Sequence, residues 1–167
     1  MMRFILEQQV SLASADAAYG RLEAAIGEIT PQGFLTLDDA GLRDIGFSRQ
    51  KTGYGRGLAS GIIDGSVNLQ ELDPLTDNQV METLEAIRGV GPWTANCYLL
   101  FVLRRADAWP PGDRALQVSM ASVLGLDAVP DRDQANAIAE DWRPQRAVAA
   151  RMLWHDYLGG PVSADVR

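Results

Sequence analysis

Few residues in this chain can do chemistry. Cys97 and His155 are each the only residue of their type among 167, so no internal disulfide, iron–sulfur cluster, cysteine–histidine zinc site or nucleophilic triad can be assembled from them. Cys97 sits in an apolar run and reads as a small packing residue, and His155 as structural or solvent-facing. Two features remain. One is Asp113, in Pro111-Gly112-Asp113-Arg114; the other is the glycine turn within Ile87-Arg88-Gly89-Val90-Gly91-Pro92-Trp93-Thr94-Ala95. An aspartate after Pro-Gly suits a helix N-cap, and capping would also fix the carboxylate so that it could steady a developing cation or position a water. Gly89 and Gly91 lack Cβ atoms, so a phosphate could come close to the turn, and the N–H groups opening a helix at Pro92 favour an anion. Such a contact ignores base sequence. A tight connection between two helices, with glycine as a C-cap, accounts for the same residues without a ligand.

The elements that must position these residues are helical throughout. Leu12, Tyr19, Leu22 and Ile26 recur at helical spacing between a Ser11 cap and Gly27. A shorter segment over Leu37–Ile45 ends at Gly46, and Ser48 caps a helix carrying Tyr54, Leu58 and Ile62. Thr76 with Gln79 forms a capping-box pattern ahead of Val80, Leu84 and Ile87. Pro92 suits the first turn of the next helix, where Tyr98-Leu99-Leu100-Phe101-Val102 reads as buried. After a loop over 106–112, Leu116, Met120, Val123 and Leu124 mark a packed face. Asp131–Asp141 and Gln145–Tyr157 read as two further helices around Trp142-Arg143-Pro144. No stretch alternates with period two, so the expected class is all-α, without a sheet.

Composition sets limits. Hydrophobic residues make up 47%, enough for one core or two small lobes. No apolar run approaches 18 residues and the N-terminus has no leader pattern, so a soluble cytoplasmic protein is expected, with no membrane partner. The formal charge of −7 and a pI near 4.6 oppose long-range attraction to nucleic acid. Distribution moderates that: Arg49, Lys51, Arg56, Arg88, Arg104, Arg105 and Arg114 fall centrally, while acids gather at Asp38-Asp39, between Glu71 and Asp77, and between Asp127 and Asp133.

The apolar-x-Gly-apolar-Gly turn between helices, with Asp113 downstream, resembles the helix-hairpin-helix DNA glycosylase superfamily. Gln8-Gln9-Val10-Ser11, Trp93-Thr94-Ala95-Asn96 and Trp142-Arg143-Pro144 through Trp154 extend the resemblance, toward the bacterial 3-methyladenine DNA glycosylase II type, over nearly the whole chain. The resemblance implies a two-lobed helical fold, with a lobe over 1–104 carrying the hairpin (about 77–104) and a C-terminal lobe over 105–167 carrying Asp113. It implies a monofunctional glycosylase that flips alkylated purines of the 3-methyladenine type from double-stranded DNA and cuts the N-glycosidic bond with help from Asp113, in base excision repair. Trp93, Trp154 and Cys97 would line the base pocket. At Cys97 the relatives have tyrosine, which puts the substrate range in question. Gln8, Gln9, Arg88, Gly89, Val90, Gly91 and Thr94 would meet DNA, with Gln9 as the wedge filling the gap. The main-chain carbonyls of Glu85, Ile87 and Val90 would hold a structural Na+ or K+; no other cofactor and no obligate protein partner is implied. Relatives that also nick the strand carry lysine where Trp93 stands, so no lyase step is expected. The resemblance lacks the N-terminal sheet domain and the helices that usually precede Gln8-Gln9, so the chain reads as truncated at its start. A non-catalytic hairpin module, an inactive truncated glycosylase and a helical remnant without a nucleic-acid role are the alternatives.

Overall fold

The computed structural model describes residues 1–159, and among these every regular element is helical. The chain divides into two compact units, Met1–Gly91 and Pro92–Arg167. That division falls within the glycine turn, ahead of the 104/105 division expected from sequence.

In the first unit, α1 (Met2–Glu7), α2 (Leu12–Ile26), α3 (Pro31–Thr36), α4 (Asp39–Ile45) and α5 (Arg49–Asp64) precede a 3-10 turn at Leu69–Leu72 and α6 (Asp77–Glu85). Local chemistry sets most of the boundaries. The Ser11 hydroxyl accepts from the Ser14 N–H and Thr30 from Gly33, beside a proline at the first helical position. Asp38 accepts from Gly41, Ser48 from Lys51, and Thr76 with Gln79 completes the expected capping box. The core gathers Leu6, Ala15, Ala18, Leu22, Phe34, Leu42, Ile45, Phe47 and Ala59. Phe34 meets Phe47 edge to face at 5.4 Å and leaves no room at Gly55, where a Cβ would lie 2.5 Å from its ring. Two corrections arise here. The residues ahead of Gln8 form α1, with Phe4, Ile5 and Leu6 buried, so a short helix does precede the Gln8-Gln9 segment. The Leu37–Ile45 segment starts at Asp39, after a separate α3.

The second unit contains α7 (Pro92–Phe101), α8 (Arg114–Leu124), α9 (Arg132–Glu140) and α10 (Arg146–Tyr157). Asp113 caps α8, and Asp131 with Gln134 makes a capping box on α9. Helix α8 packs mainly on α10. The apolar run at the end of α7 is buried only through Leu100; Phe101 is 42% exposed and Val102 46%. On α8, Leu116 and Met120 are buried as expected but Val123 and Leu124 are exposed, because the packed face continues through Ala121 instead. No described helix is long and apolar enough to cross a membrane.

Candidate functional site

In the second unit the Asp113 carboxylate is held at both oxygens. Oδ1 accepts the Leu116 N–H at 3.0 Å, and Oδ2 accepts the Trp93 indole Nε1–H at 2.8 Å. Each donor takes one of the roughly two acceptor positions on its oxygen, so the group can still accept from water or face a cation. Asp113 is half-buried, at the end of a loop whose turn needs the left-handed Gly112 (φ 74°).

That loop is anchored from three helices. The Trp109 N–H donates to Asn96 Oδ1 on α7 at 3.1 Å, and its indole N–H to Asn136 on α9 at 3.1 Å. Asp107 receives two hydrogen bonds from the Arg146 guanidinium on α10, at 2.8 and 3.0 Å, and another from Arg143. Burial by itself pushes the Asp107 carboxyl up, but the hydrogen bonds and charge of Arg146, with Arg143, hold it below the usual aspartate value. Glu140 closes the network on both arginines.

The aromatic residues are placed unequally. Trp93 presents its N–H edge to Asp113. Trp154 stacks on Phe101 at 5.4 Å and 22°, and the Arg151 guanidinium lies over the same Phe101 ring at 5.3 Å. One face of the Trp154 ring is therefore covered. Cys97 and Thr94 are each 2% exposed, so neither side chain faces solvent. Phe101, which sequence placed in the core, is the more accessible ring.

The glycine turn belongs to the first unit. Ile87 N–H donates to the Leu84 carbonyl and Val90 N–H to the Ile87 carbonyl, at 3.0 and 2.9 Å. Gly89 takes φ +90°, and a Cβ there would lie 2.2–2.5 Å from the Tyr54 ring, whereas one at Gly91 would meet nothing within 4 Å. Arg88 is exposed. Gln8 Nε2 donates to the Gly89 carbonyl at 2.9 Å, and the exposed Gln9 beside it takes the left-handed φ of 57°. So the structure brings Gln8, Gln9 and the hairpin together. Sequence reasoning did not find Tyr54 and Lys51, which brace this region from α5; their three-residue spacing on one helix face was the available signal. Among the described residues no group of three His, Cys, Asp or Glu could hold a metal ion. Carbonyl oxygens are the donor type that a monovalent cation takes, and of those of Glu85, Ile87 and Val90 the Ile87 oxygen already accepts the Val90 N–H at 2.9 Å. A shallow apolar depression lined by Met2, Ile29, Phe34, Leu58 and Ile62 includes no candidate site residue.

Several basic residues are already engaged. Arg56 pairs with Asp39 and the Leu37 carbonyl, and Lys51 donates to the Leu6 carbonyl. Arg49, Arg88, Arg104 and Arg114 are exposed and form no ion pair with an acidic side chain among the described residues.

Comparison with known proteins identifies the family of the chain. The chain is 33% identical to Bacillus subtilis (strain 168) YfjP over 92% of its own length and 56% of that protein. It spans little more than half of several curated relatives it matches. Its fold superposes on Schizosaccharomyces pombe 3-methyladenine DNA glycosylase, solved with abasic DNA, with a TM-score of 0.86 and 27% identity, covering 92% of this chain and 77% of that one. For a DNA-3-methyladenine glycosidase from Bacillus halodurans the values are 0.76 and 31%, covering 93% and 73%. Residues 2–145 match one family throughout, and the chain belongs to the HhH-GPD superfamily of base excision DNA repair proteins.

Proposed function

We propose that this chain is a monofunctional DNA glycosylase that removes alkylated purines, of the 3-methyladenine type, from double-stranded DNA. The observation that carries the proposal is the Asp113 carboxylate, fixed at both oxygens by Trp93 and the first turn of α8. Breaking an N-glycosidic bond builds positive charge on the sugar, and a carboxylate held in advance stabilises that charge without reorganising. Alkylation makes the purine a good leaving group, so little acid catalysis is needed. The stacked Trp154 and the face of Trp93 supply surfaces that attract an electron-poor base, at about 0.5–2 kcal/mol per contact. With tryptophan at 93 no amine stands there to form a Schiff base, so the reaction ends at the abasic site.

DNA binding is assigned to the hairpin and the wedge loop. Gly91, open on its outer side, would let a phosphate reach the main chain beside Arg88, and Gln9 would fill the space left by the extruded nucleotide. A Na+ or K+ on the carbonyls of Glu85, Ile87 and Val90 would add positive charge at that turn. The test is release of methylated bases from alkylated duplex DNA by the wild type and by Asp113→Asn, with binding measured for both. Release lost in the variant while binding persists supports the proposal. Binding without release in the wild type identifies a non-catalytic hairpin module instead.

A further inference from the structure

We infer that Lys51 is a positioning residue for the Gln9 wedge rather than a phosphate contact, acting with Tyr54 as one brace that locks the wedge loop to the hairpin. This rests on the glycosylase reading above. Lys51 is the only lysine of the chain, and a lone lysine in a DNA-binding protein would ordinarily be assigned to a phosphate. Its ammonium instead turns inward, donating to the Leu6 carbonyl at 2.6 Å, one of the carbonyls left without a helical partner where α1 ends. Desolvation there lowers its pKa from the usual lysine value.

Three residues further along α5, Tyr54 fills the space beside Gly89 that any side chain would need. Its hydroxyl accepts from Gln50 Nε2 at 2.5 Å. The Gln8 side chain links the loop to the same Gly89 through its carbonyl. These contacts close a circuit: Lys51 to Leu6, along the chain to Gln8, across to Gly89, and back through Tyr54 to α5. Gln9 projects from that circuit, exposed and at φ 57°. A residue with a Cβ holds that conformation only where its surroundings dictate it, and here the anchors lie at Leu6 and Gln8 on the strained residue's N-terminal side. The circuit thus ties the part that grips the backbone to the part that enters the duplex.

The experiment uses the full chain and a duplex carrying an abasic-site analogue beside 2-aminopurine, whose fluorescence rises on unstacking. Lys51→Met is expected to bind undamaged duplex with the wild-type affinity and salt dependence, yet to unstack the reporter about tenfold less, the effect of losing one charged hydrogen bond. Lys51→Arg, which keeps a donor, should restore it. Gln9→Ala should match Lys51→Met, and the double variant should be no worse than Gln9→Ala. A salt-dependence slope reduced by about one in Lys51→Met would identify a phosphate contact and overturn the inference; losses that multiply in the double variant would do the same. Tyr54→Leu cuts the circuit at its other link and carries the same expectation, so it decides the matter if Lys51→Met does not fold. Wild-type protein that neither unstacks the reporter nor releases methylated bases removes the glycosylase reading and this inference together. Wild-type activity with a fully competent Lys51→Met removes the inference alone.

Discussion

Alanine at Gly89 and alanine at Gly91 are expected to fail for different reasons, and the pair separates what the hairpin needs to fold from what it needs to bind. At Gly89 the new Cβ would lie 2.2 Å from Tyr54 Cγ, with φ at +90°. Relieving that contact means moving the ring by more than about 1 Å to reach ordinary carbon–carbon separation. Overpacking of this kind costs about 1–3 kcal/mol, and the left-handed backbone adds about 1 kcal/mol for any residue but glycine. The sum, about 2–4 kcal/mol, corresponds to a Tm lowered by about 5–15 °C in a protein of this size. Replacing Tyr54 with alanine in the same chain should return part of the loss. At Gly91 a Cβ meets nothing within 4 Å, so stability should stay within about 0.5 kcal/mol of wild type, while on the proposed phosphate contact duplex affinity should fall about tenfold. Thermal unfolding and a binding titration at two salt concentrations check both. The reasoning is refuted if Gly91→Ala destabilises the chain as much as Gly89→Ala, or if it folds normally and binds duplex with undiminished affinity.

Three further outcomes follow from the second unit. Trp93→Phe keeps an aromatic face but removes the donor to Asp113 Oδ2; kcat for base release should fall about tenfold with little change in KM, and an equal loss in KM would assign Trp93 to substrate binding instead. Trp154→Leu should raise KM for alkylated DNA by about three- to thirtyfold, the worth of one stacked or cation-π contact, with duplex affinity for undamaged DNA unchanged. Asp107→Asn should destabilise the protein at pH 7. Because the Asp107 carboxyl is held below its ordinary value of 3.8, its stabilising effect is fully present above that pH and is lost as pH falls through the lower folded value. The gap between wild-type and variant unfolding midpoints should therefore close below about pH 4, and a gap that persists there would mean the carboxylate charge is not the cause.

Much of the architecture was readable because it is set by local chemistry. Ser11, Ser48, Thr76, Asp113 and Asp131 each stand where a helix begins, and a cap needs only its own N–H groups a few residues on. The six-residue helices α1 and α3 were not readable, since two turns are too short to show a period and α3 carries Gly33 in its middle. Burial at helix ends failed for a related reason: Phe101, Val123 and Leu124 continue the apolar pattern past the point where a neighbouring element covers them. At the site, Asp113, Trp93 and the hairpin glycines were visible as residue types, but the indole hydrogen bond spans twenty positions and nothing in the spacing announces it. The brace on α5 showed only as a three-residue spacing on one helix face, because the residues that Lys51 and Tyr54 act on lie 35 or more positions away.

The engagement of several cations within the fold bears on how the proposed glycosylase would meet undamaged DNA. Even if the exposed Arg43, Arg49, Arg88, Arg104, Arg114 and Arg132 all met phosphates, six contacts would cost about 10³-fold in affinity between 50 and 200 mM salt, the low end of the about 10³–10⁵ for proteins that make six to ten. Undamaged duplex would then hold this acidic molecule briefly, and it would travel by frequent release and recapture more than by long one-dimensional sliding. On the proposed function, residence would then be decided at a damaged base rather than by long-range attraction to the duplex.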